Sequence, residues 1–341
     1  MIDPHKKAPA PGMLLIAAEM EKQGRDARAS FEANREKAGK IAAAIRSSGR
    51  LLMLGMGGSH AIGRTVEPLY RALGIDAIAV PASEQLGQPL PLDGRTVLLT
   101  SQSGGSAEVL RWIEENPDHA PVFGLTLEAD AALARSRASL VGSGGTELAF
   151  AATRSLTITL SLHGAILAAL GMPVDGLHAA LKQPDPVNVE PLVSALLPVR
   201  AIVTTGRRHH GIAEIIALGF TELARMPAYG LEGGQLRHGP MEMLGPDIGV
   251  IVFRGRDDHH GMFDSTIRSV QETGAPVVVL DASGSIAVPG VPTISLQPSE
   301  GIEASLRLLM AAQHLMTAFA ALRVENPGTP VRSSKVTRSE E

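Results

Sequence analysis

The chain of 341 residues contains no cysteine. That absence excludes disulfides, zinc sites built on thiolates, iron–sulfur clusters and a cysteine nucleophile, the thiol of an amidotransferase included. Aromatic residues are scarce, with seven Phe, two Tyr and one Trp, so aromatic platforms for bases or sugar rings are not the main binding device. Neither sign of charge dominates: 31 basic residues against 35 acidic ones leave a net charge of −4, which gives no electrostatic footprint for nucleic acid. Long hydrophobic runs are missing as well. Met13–Ala18 is too short for the apolar region of a signal peptide. Ser155–Val174 carries no formal charge, but Thr157, Thr159, Ser161, His163 and two glycines interrupt it, and it reads as a buried helix rather than a membrane span. A cytoplasmic protein with neither a nucleic-acid nor a membrane partner is expected.

Glycine, by contrast, is plentiful at 36 residues, as a chain with many strand-to-helix turns requires. A helical pattern from Met13 to Ser48 leads the sequence and stops at Gly49. Short apolar runs then alternate with helical stretches. The spacing predicts strands at Leu51–Leu54, Ala77–Val80, Thr96–Thr100, Val122–Thr126 and Ser139–Val141, closed by a helix over Thr153–Leu170. Gly171–Val187, with several Pro, Gly and Asp residues, reads as a linker. The pattern restarts with strands at Ala201–Thr204, Gly249–Phe253, Val277–Asp281 and Thr293–Leu296, and a helix over Ile302–Leu322. Gly55 recurs as Gly206, Val97 as Gly249, Val122 as Val277 and Leu140 as Thr293, a spacing of about 152 residues that points to one duplicated α/β unit. The predicted organisation is a leading helical segment (1–48), a first subdomain (49–175), a second (188–324) and a tail (325–341). Each subdomain is expected to hold a doubly wound, flavodoxin-like parallel sheet, with ligands bound at the carboxyl ends of its strands.

The loops after the strands carry the candidate chemistry. In Gly55-Met56-Gly57-Gly58-Ser59 the glycines let backbone approach an anion and Ser59 opens the next helix; the spacing fits neither a Walker loop nor a dinucleotide fingerprint. Thr100-Ser101-Gln102-Ser103-Gly104-Gly105-Ser106 is richer in hydroxyls than N-capping needs, and suits a phosphate. Ser143-Gly144-Gly145-Thr146-Glu147 reads as a turn and helix cap beside them. In the second half, Arg207-Arg208-His209-His210 and Arg254 to His260 read as solvated surface, because adjacent histidines point apart and seldom share one metal. Glu222 on its helix reads on its own as a solvated residue, and Lys335 as part of a polar tail. His238, before Gly239-Pro240, sits in a rigid turn that suits a group needing accurate placement.

As a set, Ser101-Gln102-Ser103-Gly104, Gly145-Thr146-Glu147, Arg237-His238-Gly239-Pro240 and Ser334-Lys335-Val336-Thr337 resemble the sugar isomerase (SIS) family, in particular the isomerase half of glucosamine-6-phosphate synthase and stand-alone aminosugar-phosphate deaminases. The resemblance covers nearly the whole chain. It implies two SIS subdomains, a homodimer, and no metal or cofactor. It implies that Gly58, Ser59, Ser101, Gln102, Ser103, Ser106 and Ser334 hold the phosphate and sugar of a hexose 6-phosphate or aminosugar phosphate. It further implies that Glu222 moves a proton between C1 and C2, that His238 assists ring opening from the neighbouring subunit, and that Lys335 approaches the sugar carbonyl. Differences stand beside it: Gly58 replaces a hydroxyl residue of the synthase, Gly219 a lysine, and Ala152 and Arg154 a serine and a lysine.

The expected reaction is an aldose–ketose shift coupled to loss of an amine, turning glucosamine 6-phosphate into fructose 6-phosphate and ammonia. Removal of a weakly acidic proton next to a carbonyl calls for a carboxylate base, and ring opening for a group that titrates near neutrality. Without a thiol the chain is expected to use or release free ammonia or a whole amine, not glutamine. Two alternatives remain open on sequence: a fructosamine-6-phosphate deglycase, and a non-catalytic sugar-phosphate-binding regulator.

Overall fold

The computed structural model describes residues 9–256 and 260–336. Helix α1 (Pro11–Ser48) begins with a proline suited to the first turn and ends at Gly49, whose φ of 63° lets its N–H close back on the Ile45 carbonyl. The first half then runs β1 (Arg50–Gly55), α2 (Gly57–Ala72), β2 (Asp76–Pro81), α3 (Ala82–Gly87), β3 (Thr96–Thr100), α4 (Ala107–Glu115), β4 (Val122–Thr126), α5 (Ala132–Ser136), β5 (Ala138–Val141) and α6 (Arg154–Ala169). Two short helices follow, α7 (Asp175–Lys182) and α8 (Glu190–Leu196). The second half runs β6 (Ala201–Gly206), α9 (His210–Leu223), β7 (Ala228–Glu232), β8 (Ile248–Gly255), α10 (His260–Glu272), β9 (Val277–Ala282), β10 (Thr293–Ser295) and α11 (Gly301–Arg323).

Both sheets are parallel and five-stranded. Their orders are β2-β1-β3-β4-β5 and β7-β6-β8-β9-β10, the same doubly wound topology twice. Near-continuous apolar strands such as Leu51–Leu54 and Val250–Phe253 are buried because helices cover both faces. Between the sheets lies one shared core built from α1, α2, α6, α9 and α11, while α4 closes the far side of the first sheet and α10 that of the second. Helices α2 and α9 cross so closely that a Cβ on Gly211 would lie 2.3 Å from the Thr65 nitrogen. The uncharged stretch of α6 is core, buried from Ser155 through Leu167. Among the described helices only α11 is long and apolar enough to span a bilayer, and 67% of its apolar window is buried inside the protein.

Strand β7 and helices α7 and α8 are not expected from the sequence pattern. Strand β7 escapes a hydrophobic pattern search because Ala-Tyr-Gly-Leu-Glu forms a half-exposed edge, yet it takes the place of β2 in the second sheet. The predicted linker contains α7, which buries Leu177, Ala180 and Leu181.

Candidate active site

The turn from β1 into α2 is tight. A Cβ on Gly55 would sit 3.0 Å from the Ser59 Cβ, and Gly57 has a φ of 49°. Gly58 marks the crossing with α6, where an added Cβ would lie 2.9 Å from Leu156 Cδ2. The loop after β3 is fixed from outside: the Leu127 N–H and the Thr126 hydroxyl both donate to the Gln102 carbonyl, at 3.0 and 3.1 Å. Gly104, at φ 59°, folds back so that its N–H meets the Ser101 carbonyl at 3.0 Å. These two turns bring Ser59, Gln102, Ser103 and Ser106 to one side of a cavity of about 390 Å³ that also opens on Gly58. Ser101 lies behind them, buried, with its hydroxyl 2.9 Å from that of Ser106, so it orients Ser106 and does not line the cavity.

The opposite wall comes from the second half and the tail. Helix α9 presents Ile215, Ile216, Gly219 and Glu222, and α11 presents Gln313 and Met316. A Cβ on Gly219 would lie 2.0 Å from Met316 Sδ, so the thioether occupies the space into which a longer side chain would project. Beyond α11 the chain returns across the cavity. Arg225, itself at φ 50°, donates to the carbonyls of Asn326 and Thr329 at 3.0 and 2.9 Å, and Gly328 packs backbone to backbone on Gly12 of α1. This return places Ser334 and Lys335 in the cavity wall. The remainder of the tail motif, from Thr337 on, lies outside the described residues.

Glu147, whose role the sequence reading left unassigned, stands behind the cavity wall and anchors Lys335 from there. It is fully buried and accepts from the backbone N–H groups of Thr153 and Ser155 at 3.0 and 3.2 Å, from the Ser155 hydroxyl at 2.7 Å, and from Lys335 Nζ at 3.1 Å. Lys335 also donates to the Ala149 carbonyl. The signal was present in the Gly145-Thr146-Glu147 turn, but a lone acid at a helix start also reads as a cap. Burial pushes the Glu222 carboxyl up to about 7; Lys335 pulls it down and Glu147 pushes it further up. The cavity therefore pairs a hydroxyl-lined end, which Glu108 also borders, with a carboxylate poised to titrate near neutrality beside a lysine.

His238 is not in this cavity. It is exposed and borders a separate hollow with Arg207, Arg237 and Phe263. The histidine pairs also differ from a solvated surface: His209 is buried with Nδ1 3.3 Å from the Ser305 hydroxyl, and His210 meets Glu214 at 2.8 Å. His259 lies outside the described residues.

No family model matches the chain. Over 332 residues it is 27% identical to a glutamine–fructose-6-phosphate aminotransferase (isomerizing) of Rhizobium meliloti, a match that covers 88% of this chain and 53% of that protein. The chain thus spans about half the length of that relative. Among solved structures, tagatose-6-phosphate ketose/aldose isomerase from Escherichia coli superposes with a TM-score of 0.80 at 21% identity, covering 96% of this chain and 99% of the other. Glucosamine-6-phosphate deaminase from Thermotoga maritima gives 0.74 at 21% identity, covering 95% and 99%. The resemblance to the sugar isomerase family is borne out: these three proteins are named as enzymes of 6-phosphosugars, and the two solved structures share the two-sheet architecture.

Proposed function

We propose that this chain is a phosphosugar aldose–ketose isomerase acting on an aminohexose 6-phosphate, with glucosamine 6-phosphate as the substrate and fructose 6-phosphate and ammonia as products. The observation that carries this reading is Glu222, a carboxyl held near 7 in a cavity whose other end is a cradle of hydroxyl and amide groups. A group with that value is half ionised at neutral pH and can both take and return a proton. The names of the relatives, an aminotransferase, a ketose/aldose isomerase and a deaminase of 6-phosphates, support the same substrate class.

In this mechanism Ser59, Gln102, Ser103 and Ser106 hold the phosphate with donors rather than cations, assisted by the start of α2. Once the ring is open, Glu222 takes the proton from C2 of the aldehyde form, leaving an enolamine whose electrons shift toward C1. The same carboxyl returns the proton to C1. The resulting imine at C2 is attacked by water, the C–N bond breaks, and ammonia leaves with fructose 6-phosphate. Lys335, held by Glu147, faces the carbonyl oxygen as charge builds there. Ring opening falls to His238 of a second copy in a homodimer, because in its own chain His238 lies outside the cavity.

A coupled assay for ammonia and fructose 6-phosphate, with glucosamine 6-phosphate as substrate, tests this reading. Stoichiometric formation of both is expected. Tight binding without turnover, across a panel of hexosamine and fructosamine 6-phosphates, would favour a sugar-phosphate-binding regulator instead.

A further inference from the structure

Two buried amide atoms of residues that line the cavity have no partner among the described residues, and they are of opposite kind. Gln102 Nε2 is an unused donor in the hydroxyl-rich loop. Gln313 Oε1 is an unused acceptor on α11. The side chain of Gln313 is wholly buried, and its Nε2 donates to the Thr153 carbonyl at 3.1 Å. That bond fixes the sense of the amide, since a flipped Gln313 would set oxygen against the oxygen of Thr153. An unsatisfied buried acceptor is costly, and a ligand group that supplies the missing proton recovers the cost.

The place of Gln313 in the fold says which end of a ligand it meets. Thr153, which anchors it, also donates its own N–H to Glu147, and Glu147 holds Lys335. Met316, three residues along α11, packs on Gly219, one turn before Glu222. Gln313 thus belongs to the reacting end of the cavity, opposite the Ser103 and Ser106 cradle. Resting on the phosphosugar reading above, we infer that Gln313 is a specificity residue that accepts a hydrogen bond from a hydroxyl or amine on C1 or C2 of the substrate. The site therefore selects sugars that carry a proton donor there, and rejects analogues that offer only C–H groups or a carboxylate at that position.

Binding to the Glu222→Gln variant, in which turnover is strongly slowed, tests this by calorimetry. Fructose 6-phosphate, glucose 6-phosphate, 1-deoxyfructose 6-phosphate, 2-deoxyglucose 6-phosphate and inorganic phosphate are the probes. Loss of the donor from the sugar is expected to weaken binding by about 5- to 20-fold for one of the two deoxy sugars. Gln313→Met, added to Glu222→Gln, is expected to weaken the parent sugar by a similar factor, to leave the affected deoxy sugar no weaker, and to leave inorganic phosphate unchanged. The deoxy sugars probe the contact without altering the protein, so a misfolded Gln313 variant does not block the test. Equal affinity of all four sugars would overturn the inference while leaving the phosphosugar reading intact. Equal weakening of inorganic phosphate by Gln313→Met would also overturn it, by showing general damage to the cavity. Failure of every sugar phosphate to bind would remove the phosphosugar reading and this inference together.

Discussion

Glu222, which lines the cavity, and Glu147, buried behind it, show how neighbouring carboxyls differ in setting. Glu147 is surrounded by donors from the start of α6 and by Lys335, whereas Glu222 meets apolar side chains of α9 and α11 and is pushed up to about 7. Glu222→Gln is expected to lower turnover by about 10²- to 10⁴-fold with sugar-phosphate affinity largely retained, since the amide keeps the shape but cannot take a proton. If Glu222 acts as the base, kcat/KM rises with pH through an inflection near 7, and Glu147→Gln moves that inflection to lower pH by removing a negative neighbour. The stability linkage has the opposite sense. A carboxyl raised on folding favours the native state below its unfolded value, and that contribution is lost as pH rises through 7. Glu222→Gln is therefore expected to be more stable than the unaltered protein at pH 8, by up to roughly 3 kcal/mol, and no more stable at pH 4. Denaturant unfolding at the two pH values checks the sign.

At the scale of elements, the wall that holds Glu147 is locked by α1. Arg154, at the start of α6, is buried and meets Glu19 at 2.5 Å and Asp26 at 3.1 Å, and it donates to the Gly145 carbonyl at 3.0 Å. Glu19 in turn accepts from the Leu148 N–H at 3.0 Å, and Asn34 exchanges two hydrogen bonds with the backbone of Val141. Arg154→Met leaves Glu19 buried without a cation and Asp26 with only the exposed Arg25 at 2.9 Å, and is expected to cost about 3–5 kcal/mol in urea unfolding, with most of the loss recovered when Glu19→Gln and Asp26→Asn are added. The same elements show what was legible in sequence. Strands such as Thr96–Thr100 could be read because buried parallel strands are continuously apolar, and the Ser103/Ser106 cradle because four hydroxyls exceed what a cap requires. Strand β7 could not, since an edge strand half open to solvent has no such pattern. Glu19, Asp26 and Gln313 look like polar residues on helical surfaces until tertiary contacts show them inside, and Arg225 reaches the tail across about a hundred residues, a pairing that no local spacing announces.

At the scale of the whole molecule, duplication supplies two equivalent places for a site, and the two differ in chemistry. The counterpart of the first cavity, about 550 Å³ in volume, is bordered by α2, the turn after β6 and the start of α11. There the small-residue turn Gly57-Gly58-Ser59 is replaced by Arg208 and His209, and the strand end that would lead into a hydroxyl loop is closed by buried Arg254 bonded to Asp264 and Asp281. In the proposed site one half contributes the cradle and the other the carboxyl, so neither half alone would carry it whole. In the proposed function this division extends to a second copy. His238 is exposed and borders a hollow apart from the cavity of its own chain, so in the proposed reaction ring opening falls to the histidine of a second copy. Mixing is the measurement that reads this division. Glu222→Gln and His238→Ala are each expected to be nearly inactive alone. Unfolded and refolded together in equal amounts, they form hybrid dimers in which one cavity has an intact Glu222 and faces an intact His238. Random pairing then restores up to about a quarter of the unaltered activity. No recovery in a mixture shown to exchange subunits would place ring opening within one chain.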